Sequence, residues 1–185
     1  MKFLVSGAVA AMLALGLASC GDSSSSQSSP SPSFRTTCSY SEIPSSIISN
    51  LQRFEDLERL LATSVESFLA DPDATWNSPI RVDDHELWIL EMNTAAISAR
   101  TFASDWALYR PPSCSNTANT LVQTGLTAES RHRAWRALST ALSNRDDAAL
   151  QQAESWLDEL DQDLRQIACD HEAADGIDIS VLPRC

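Results

Sequence analysis

The chain has 185 residues, a hydrophobic content of 43% and a formal net charge of −12 at pH 7. This composition allows one globular domain with a sizeable core, whereas the negative charge disfavours binding to nucleic acid or to an anionic lipid surface. Lys2 is the single lysine, so Schiff-base chemistry, a lysine general base and a phosphate-loop lysine are excluded for the rest of the chain.

The N-terminal segment has the organisation of a secretory signal. Lys2 precedes an apolar run over residues 3–18, which is shorter than the roughly 18–20 residues of a membrane-spanning helix. The tetrapeptide Leu17-Ala18-Ser19-Cys20 closes this segment and resembles the lipobox of bacterial lipoproteins. The resemblance implies cleavage before Cys20, a diacylglyceryl group on its thiol, and a location in the bacterial cell envelope, facing the periplasm or the exterior. A plain signal peptide, cut after an ordinary small-residue site, is the alternative.

Residues 1–19 are therefore predicted to be the signal peptide, and residues 20–37 a disordered tether. Serine, with two prolines, dominates residues 21–33, and such a composition cannot bury apolar surface. The stretch between Cys20 and Cys38 has an r.m.s. reach of about 23 Å as a flexible coil. Because two acyl chains give stable anchoring where one does not, we expect a membrane partner through the lipid on Cys20 and a domain that stands clear of the headgroups.

Residues 38–185 are predicted to form one helical domain. The first helix is predicted over Ser45–Ala70, with an apolar stripe at spacings of three and four. The second begins at Asp83 or Asp84, where Asp83 and Glu86 have capping-box spacing, and ends near Tyr109. Its predicted core stripe is Met92, Ala95, Ala99, Phe102, Trp106 and Tyr109. Other apolar residues on further faces, Leu87, Leu90, Ile97 and Leu108, predict a central helix.

The second half of the domain is predicted to hold two more helices. Ser113–Thr120 is polar and predicted to be a loop, and the helical region after it is weakened at Gly125, with a restart at Thr127. The last helix is predicted over Asp146–His171, followed by an irregular tail. Four helices with short connections predict an antiparallel four-helix bundle.

The cysteines predict disulfides. With Cys20 assigned to lipid, an even set remains, which in an oxidising compartment indicates two disulfides with three connectivities. The bundle topology places Cys38, Cys114 and Cys169 at one end, and the tail can bring Cys185 there. We therefore prefer Cys38–Cys114 with Cys169–Cys185, as a staple beside the tether. A free catalytic thiol or a four-cysteine zinc site is the alternative, although the chain has no C-x2-C pair.

Three polar clusters raise the question of a metal site or a catalytic site. Consecutive residues around His85 point in different directions from a helix, so they cannot all face one ion. Glu129 and His132 have the spacing of a di-iron element, but such a site needs two of them, and we expect His132 on a solvated face. The acids from Asp158 to Asp163 are expected to be solvated, because a helix face lacks the oxygen cage of a calcium site. His171 is expected to support the helix C-terminus.

These observations predict no cofactor and point away from an enzyme, since the sequence has no G-x-S-x-G, H-E-x-x-H, Walker or dinucleotide motif. Trp76, in a predicted loop, and Trp88 are candidates for an exposed contact with an envelope protein. The leading interpretation is a lipid-anchored helical binding or structural module. An envelope hydrolase, or a small-ligand binder with a pocket between helices, is the alternative.

Overall fold

A computed structural model describes the backbone of residues 38–70, 79–175 and 182–183. Side chains of the second helix are described from Asp84 and those of the last helix as far as Glu172. The predicted signal peptide and tether lie outside these residues.

The described chain is all-α and contains no strand. Its four long helices are antiparallel in sequence order and pack neighbour on neighbour, α1 on α2, α2 on α3 and α3 on α4. Their bounds are α1 Ser45–Ala70, α2 Pro79–Tyr109, α3 Ser115–Asn144 and α4 Asp147–Asp175, with short 3-10 turns at Tyr40–Glu42 and Pro112–Cys114. The predicted bundle is thus confirmed. None of the described helices is both long enough and apolar enough to cross a membrane.

The start of α2 differs from the prediction. The helix begins at Pro79 rather than at Asp83 or Asp84, so the capping-box interpretation of Asp83 and Glu86 is wrong. Proline suits the first helical position because it has no amide hydrogen to leave unsatisfied there. The predicted bounds of α1 and the predicted end of α2 at Tyr109 are confirmed.

The break predicted in the third helix is also wrong. α3 is continuous through Gly125 and begins at Ser115, inside the predicted loop. A Cβ atom at Gly125 would lie 2.8 Å from the α-carbon of Arg100. The glycine therefore permits a close approach of α2 and α3, and this packing outweighs the roughly 1 kcal/mol cost of glycine in a helix.

A tight turn joins α3 to α4. Arg145 adopts a left-handed conformation (φ 54°), and its amide donates to the carbonyls of Ala141 and Leu142. The Asp146 carboxylate accepts a hydrogen bond from the amide of Ala149 at 3.0 Å. One residue thus ends α3 and the next caps α4.

The main core lies between the four helices. Phe54, Leu61, Met92, Trp135 and Ala153 belong to this cluster of buried side chains, and at least one comes from each helix. The small residues of α2 are all buried, namely Ala95, Ala96, Ala99 and Ala103. The apolar stripes of the sequence therefore converge as expected for a bundle.

A disulfide closes one end of the bundle. Cys38 and Cys114 are bonded, with α-carbons 4.7 Å apart, which is the bond that the sequence analysis preferred. It joins the segment before α1 to the turn between α2 and α3. A second buried cluster lies at this end, and Leu182 of the tail packs against it. Cys169 is also disulfide-bonded, and its predicted partner, Cys185, lies outside the described residues.

The fourth side of the bundle is open. Among the described residues, no α-carbon of α1 comes within 8 Å of one in α4. We call this opening the seam. Side chains from α3, rather than direct packing of the two backbones, connect α1 to α4 across it.

Candidate functional site

Three features of the surface could support a function: the seam, a cleft between α2 and α3, and the outer face of α2. The seam contains a partly buried network of charged groups centred on Arg131. Its guanidinium lies 2.7 Å from the Glu58 carboxylate of α1 and 3.3 Å from the Asp161 carboxylate of α4. The indole Nε1 of Trp135 donates to the same Glu58 oxygen at 2.7 Å. Because the charges in the network satisfy one another, we assign it a structural role.

Glu55 lies one helical turn before Glu58 and lines the two small recesses beside the seam. Burial, and then the neighbouring Glu58 carboxylate, raise the pKa of Glu55 to about 7, against the opposing effect of Arg59. Glu55 therefore binds a proton near neutral pH. The seam is thus sensitive to pH through Glu55.

A cleft between α2 and α3 has a volume of about 470 Å³. Ligand pockets typically have about 300–1,000 Å³. The wall on α2 consists of Glu86, Ile89, Leu90 and Asn93, and the wall on α3 consists of His132, Arg136, Ser139, Thr140 and Ser143. The cleft therefore combines an aliphatic wall with hydroxyl, amide and charged groups.

His132 occupies one end of this cleft. The residue is buried, with 8% of its surface exposed, so the prediction of a solvated face is wrong. Burial, followed by the positive charges of Arg136 and Arg133, lowers the pKa of His132. A signal for its burial exists in the sequence, because His132 lies four residues after Ala128 and three before Trp135, which are both in the core. Because Arg131 and Arg133 flank His132 in the sequence, a solvated face was predicted instead.

Glu129, the other half of the predicted di-iron element, does not face His132 as a ligand partner. Its carboxylate lies 3.1 Å from the guanidinium of Arg100 on α2. The pair therefore holds α2 and α3 together. Among the described residues, the single group of three metal-type ligand atoms within reach of one another is Cys38, Glu42 and Cys114, whose two sulfur atoms are engaged in the disulfide.

His85 and Trp88 are together on α2. The His85 ring hydrogen-bonds to the hydroxyl of Ser64 on α1 and lies 5.7 Å from the Trp88 ring, tilted against it. Trp88 is half-buried and packs against the main core, so only part of its indole faces solvent. Trp76, the other predicted contact, lies outside the described residues, as does Cys20.

The acidic run of α4 is only partly solvated. Asp161 is drawn into the seam by Arg131, and it also lies 2.6 Å from Arg165 one turn later. Glu159 and Asp163 are exposed, as predicted. His171 is buried near the end of α4. Its burial makes it a core side chain, whereas the sequence predicted that it supports the helix C-terminus.

The outer face of α2 is apolar and exposed. Residues on it repeat at spacings of three and four, and we call this set the outer stripe: Leu87, Leu90, Thr94, Ile97, Thr101, Ser104 and Leu108. Leu90 and Leu108 are 63% and 75% exposed. The stripe lies opposite the face that enters the core, so the prediction of a central helix is wrong. Phe102 and Tyr109, predicted to be in the core, are exposed as well.

No family model matches this chain, and neither a curated protein nor a solved structure matches it significantly. Its function is therefore inferred from the cleft and the outer stripe themselves.

Proposed function

We propose that this protein is a lipid-anchored module of the bacterial cell envelope that binds an amphipathic helix of another protein along the outer stripe. The exposure of four large apolar side chains at the spacing of a coiled-coil seam carries this proposal. Thr94, Thr101 and Ser104 lie between these aliphatic side chains, so the stripe alternates apolar and hydroxyl-bearing residues. Monomeric proteins rarely leave large apolar patches in water. A helix laid on the stripe would cover it with residues at the same spacing of three and four.

The charges beside the stripe favour a basic partner. Glu86 and Asp105 are exposed and flank it on opposite sides, whereas Glu91, on the same side as Asp105, is paired with Arg53 of α1. Arg100, the positive charge in this region of α2, is paired with Glu129. Flanking charges set the choice of partner in helix pairs, so a helix with lysine or arginine beside its apolar face fits best.

A second copy of the chain fits less well. A second copy would bring its own exposed acids, Glu86 and Asp105, to the interface, and its Arg100 is already paired with Glu129. The two copies would therefore add like charges without a free flanking cation, which is unfavourable.

A membrane surface is also a poor occupant of the stripe. Helices that lie in the membrane interface carry lysine and arginine on their polar face, whereas the stripe is flanked by acids. The membrane attachment proposed here is through the lipid on Cys20, which the lipobox-like Leu17–Cys20 supports.

Binding of a synthetic helix tests the proposal. The probe is a helical peptide with leucine and isoleucine at heptad core positions and lysine at the flanking positions, titrated into the protein and followed by calorimetry. We expect saturable binding that weakens about tenfold or more for Ile97→Gln with Leu108→Gln, since each buried aliphatic side chain contributes about 1.5–3 kcal/mol.

Two controls make the result specific. Leu60→Gln and Leu69→Gln replace exposed leucines of α1 and are expected to leave binding unchanged. A peptide with glutamate in place of lysine is expected to bind more weakly than the lysine peptide. Equal affinity for the two peptides, or equal losses for the α1 and α2 variants, would refute the proposal.

A further inference from the structure

Two polar side chains lie on opposite walls at the inner end of the cleft between α2 and α3. A Cβ atom at Gly125 would lie 2.8 Å from the α-carbon of Arg100, so these two residues are level in the antiparallel pair. Seven residues from this contact along each helix, Asn93 of α2 and His132 of α3 are level as well, about 10 Å from it at 1.5 Å per residue. Both side chains line the cleft.

Among the residues that the structure describes, neither the Asn93 amide nor the His132 ring has a hydrogen-bond partner. His132 is buried, with 8% of its surface exposed, and Asn93 is half-buried. The ring of His85 is different, because it hydrogen-bonds to the Ser64 hydroxyl. Buried polar groups nearly always have a partner in the protein, in water or in a ligand. The inner end of the cleft therefore offers an amide and an imidazole to a group that enters from solvent.

The charges around this end of the cleft favour an anion, although the chain as a whole is acidic. Burial, followed by the positive charges of Arg136 and Arg133, lowers the pKa of His132 against the opposing effect of Glu129. Glu129 is paired with a guanidinium of α2, whereas Arg136 lines the cleft one helical turn after His132. A negative group beside the ring would thus be attracted by positive charge.

An aliphatic surface runs from the inner end of the cleft towards its mouth. Ile89 and Leu90 belong to the α2 wall. Ile89 is level with Arg136, since each lies eleven residues from the contact of Gly125 with Arg100. The cleft volume of about 470 Å³ admits a chain of several methylene groups beside this wall.

We propose that this cleft binds a short-chain saturated monocarboxylate, with its carboxylate between Asn93 and His132 and its alkyl chain along Ile89. The amide and the imidazole donate hydrogen bonds to the carboxylate oxygens, and Arg136 contributes a favourable charge. Burial of the alkyl chain against the aliphatic wall adds apolar contact. The site is distinct from the helix-binding surface, although Leu90 belongs to both.

Binding at this site is coupled to the protonation of His132. Besides the charged groups of α3 named above, Glu86 lines the other end of the cleft on α2, and Arg100 of α2 is paired with Glu129. A ligand carboxylate beside the ring favours the protonated imidazole. Binding therefore raises the pKa of His132, and the affinity rises as the pH falls.

Titration with sodium hexanoate, followed by NMR in a chloride buffer of constant ionic strength, tests the site. The wild-type protein is expected to bind hexanoate with a dissociation constant of about 1 mM, as its size allows. Acetate is expected to bind about tenfold more weakly or worse, because full burial of one methylene strengthens binding about fourfold and partial burial about twofold. Hexylammonium has the same chain with the opposite charge and is expected not to bind. Inorganic phosphate is expected to bind more weakly than hexanoate.

A pair of asparagine variants tests the carboxylate contact. Asn93→Ala is expected to weaken hexanoate binding about tenfold, the effect of losing a charge-assisted hydrogen bond. Asn119→Ala is the matched control, because Asn119 is exposed on α3 and does not line the cleft. Its affinity is expected to stay within about twofold of the wild-type value, the range of a substitution that touches no contact. The pKa of the His132 ring, measured by NMR, is expected to rise when hexanoate is bound to the wild-type protein.

Four results would each overturn the proposal: no saturable binding of hexanoate at 20 mM, equal affinity for hexanoate and for hexylammonium or phosphate, equal effects of the two asparagine variants, or an unchanged pKa of His132. The outcome is separable from that for the outer stripe. Ile97→Gln with Leu108→Gln removes side chains that do not line the cleft, so hexanoate binding is expected to stay unchanged. Its loss in that variant would place the ligand on the stripe and would also overturn the proposal.

Discussion

Arg131 connects α1 to α4 at the seam through ion pairs, whereas the other neighbouring helices pack directly on one another. Its side chain and that of Glu58 are only 13% and 15% exposed, and the Trp135 indole completes the hydrogen bonding of the carboxylate. Removing one partner of a fully buried pair typically costs about 3–5 kcal/mol, and the partial exposure of this pair lowers that cost. The contact of α1 with α4 therefore combines this network with apolar side chains of the main core.

Two titratable groups, Glu55 of α1 and His132 of α3, are expected to make the free energy of unfolding depend on pH. Glu55 lowers it as the pH rises, and His132 lowers it as the pH falls. The pKa of Glu55 is raised from 4.5 to about 7, so the folded state binds a proton that the unfolded state has lost. Its contribution is full below pH 4.5 and is lost as the pH rises through 7. The pKa of His132 is lowered from 6.5, so its contribution is full above pH 6.5 and is lost as the pH falls below that value.

Urea unfolding at pH 5, 6.5 and 8 measures both effects. Glu55→Gln is expected to reduce the loss of stability from pH 5 to pH 8 by about 1 kcal/mol, a value reduced for the partial solvation of this carboxyl group. His132→Gln is expected to flatten the acid side instead. Glu66→Gln, an exposed residue of α1, is the control, and a Glu55→Gln profile parallel to it would contradict the assignment.

The seam network could not be predicted from the sequence. Arg131, Glu58 and Asp161 come from three helices, and in an acidic chain each has many candidate partners. The burial of His132 was predictable, because its spacing from Ala128 and Trp135 places it in the core stripe.

Among the elements, α2 and α3 approach most closely where Gly125 lies against Arg100. Alanine there would meet the Arg100 α-carbon at 2.8 Å, which is backbone and cannot rotate away. The helix would gain about 1 kcal/mol in propensity, but overpacking costs typically about 1–3 kcal/mol.

We therefore expect Gly125→Ala to destabilise the protein by up to about 2 kcal/mol, measured as a lower midpoint in urea. Ser130→Ala on the same helix is a control for propensity alone. If Gly125→Ala raised the urea midpoint as much as Ser130→Ala, the inferred close approach of α2 and α3 at Gly125 would be wrong.

The helices differ in how well their bounds and exposed faces could be predicted from the sequence. α1 has a strong stripe and ends before Asp71-Pro72, so both of its bounds were predictable. α3 was predicted with a break, because the reason for Gly125 is a residue 25 positions away on another helix. The outer stripe was visible as apolar residues on other faces of α2, but the pattern does not reveal whether those faces are covered.

At the scale of the whole molecule, the proposed anchor determines where the binding surfaces act. Substitution Cys20→Ala removes the thiol that the lipobox-like segment would present for acylation. We expect the wild-type protein to sediment with membranes and the variant to remain in the soluble fraction of the envelope. Ser19→Ala keeps the cysteine and is the matched control. Membrane association of Cys20→Ala equal to that of the wild type would contradict the lipid anchor.

The disulfide between Cys38 and Cys114 has a mechanical consequence. Residues 39–113, which include α1, α2 and the outer stripe, lie within the covalent loop that it closes. Tension applied through the chain before Cys38 passes directly through the sulfur bridge to Cys114 at the start of α3. A pulling force from the tether can therefore reach α3 without unravelling the helix that carries the stripe, so the proposed partner-binding surface would keep its shape under load.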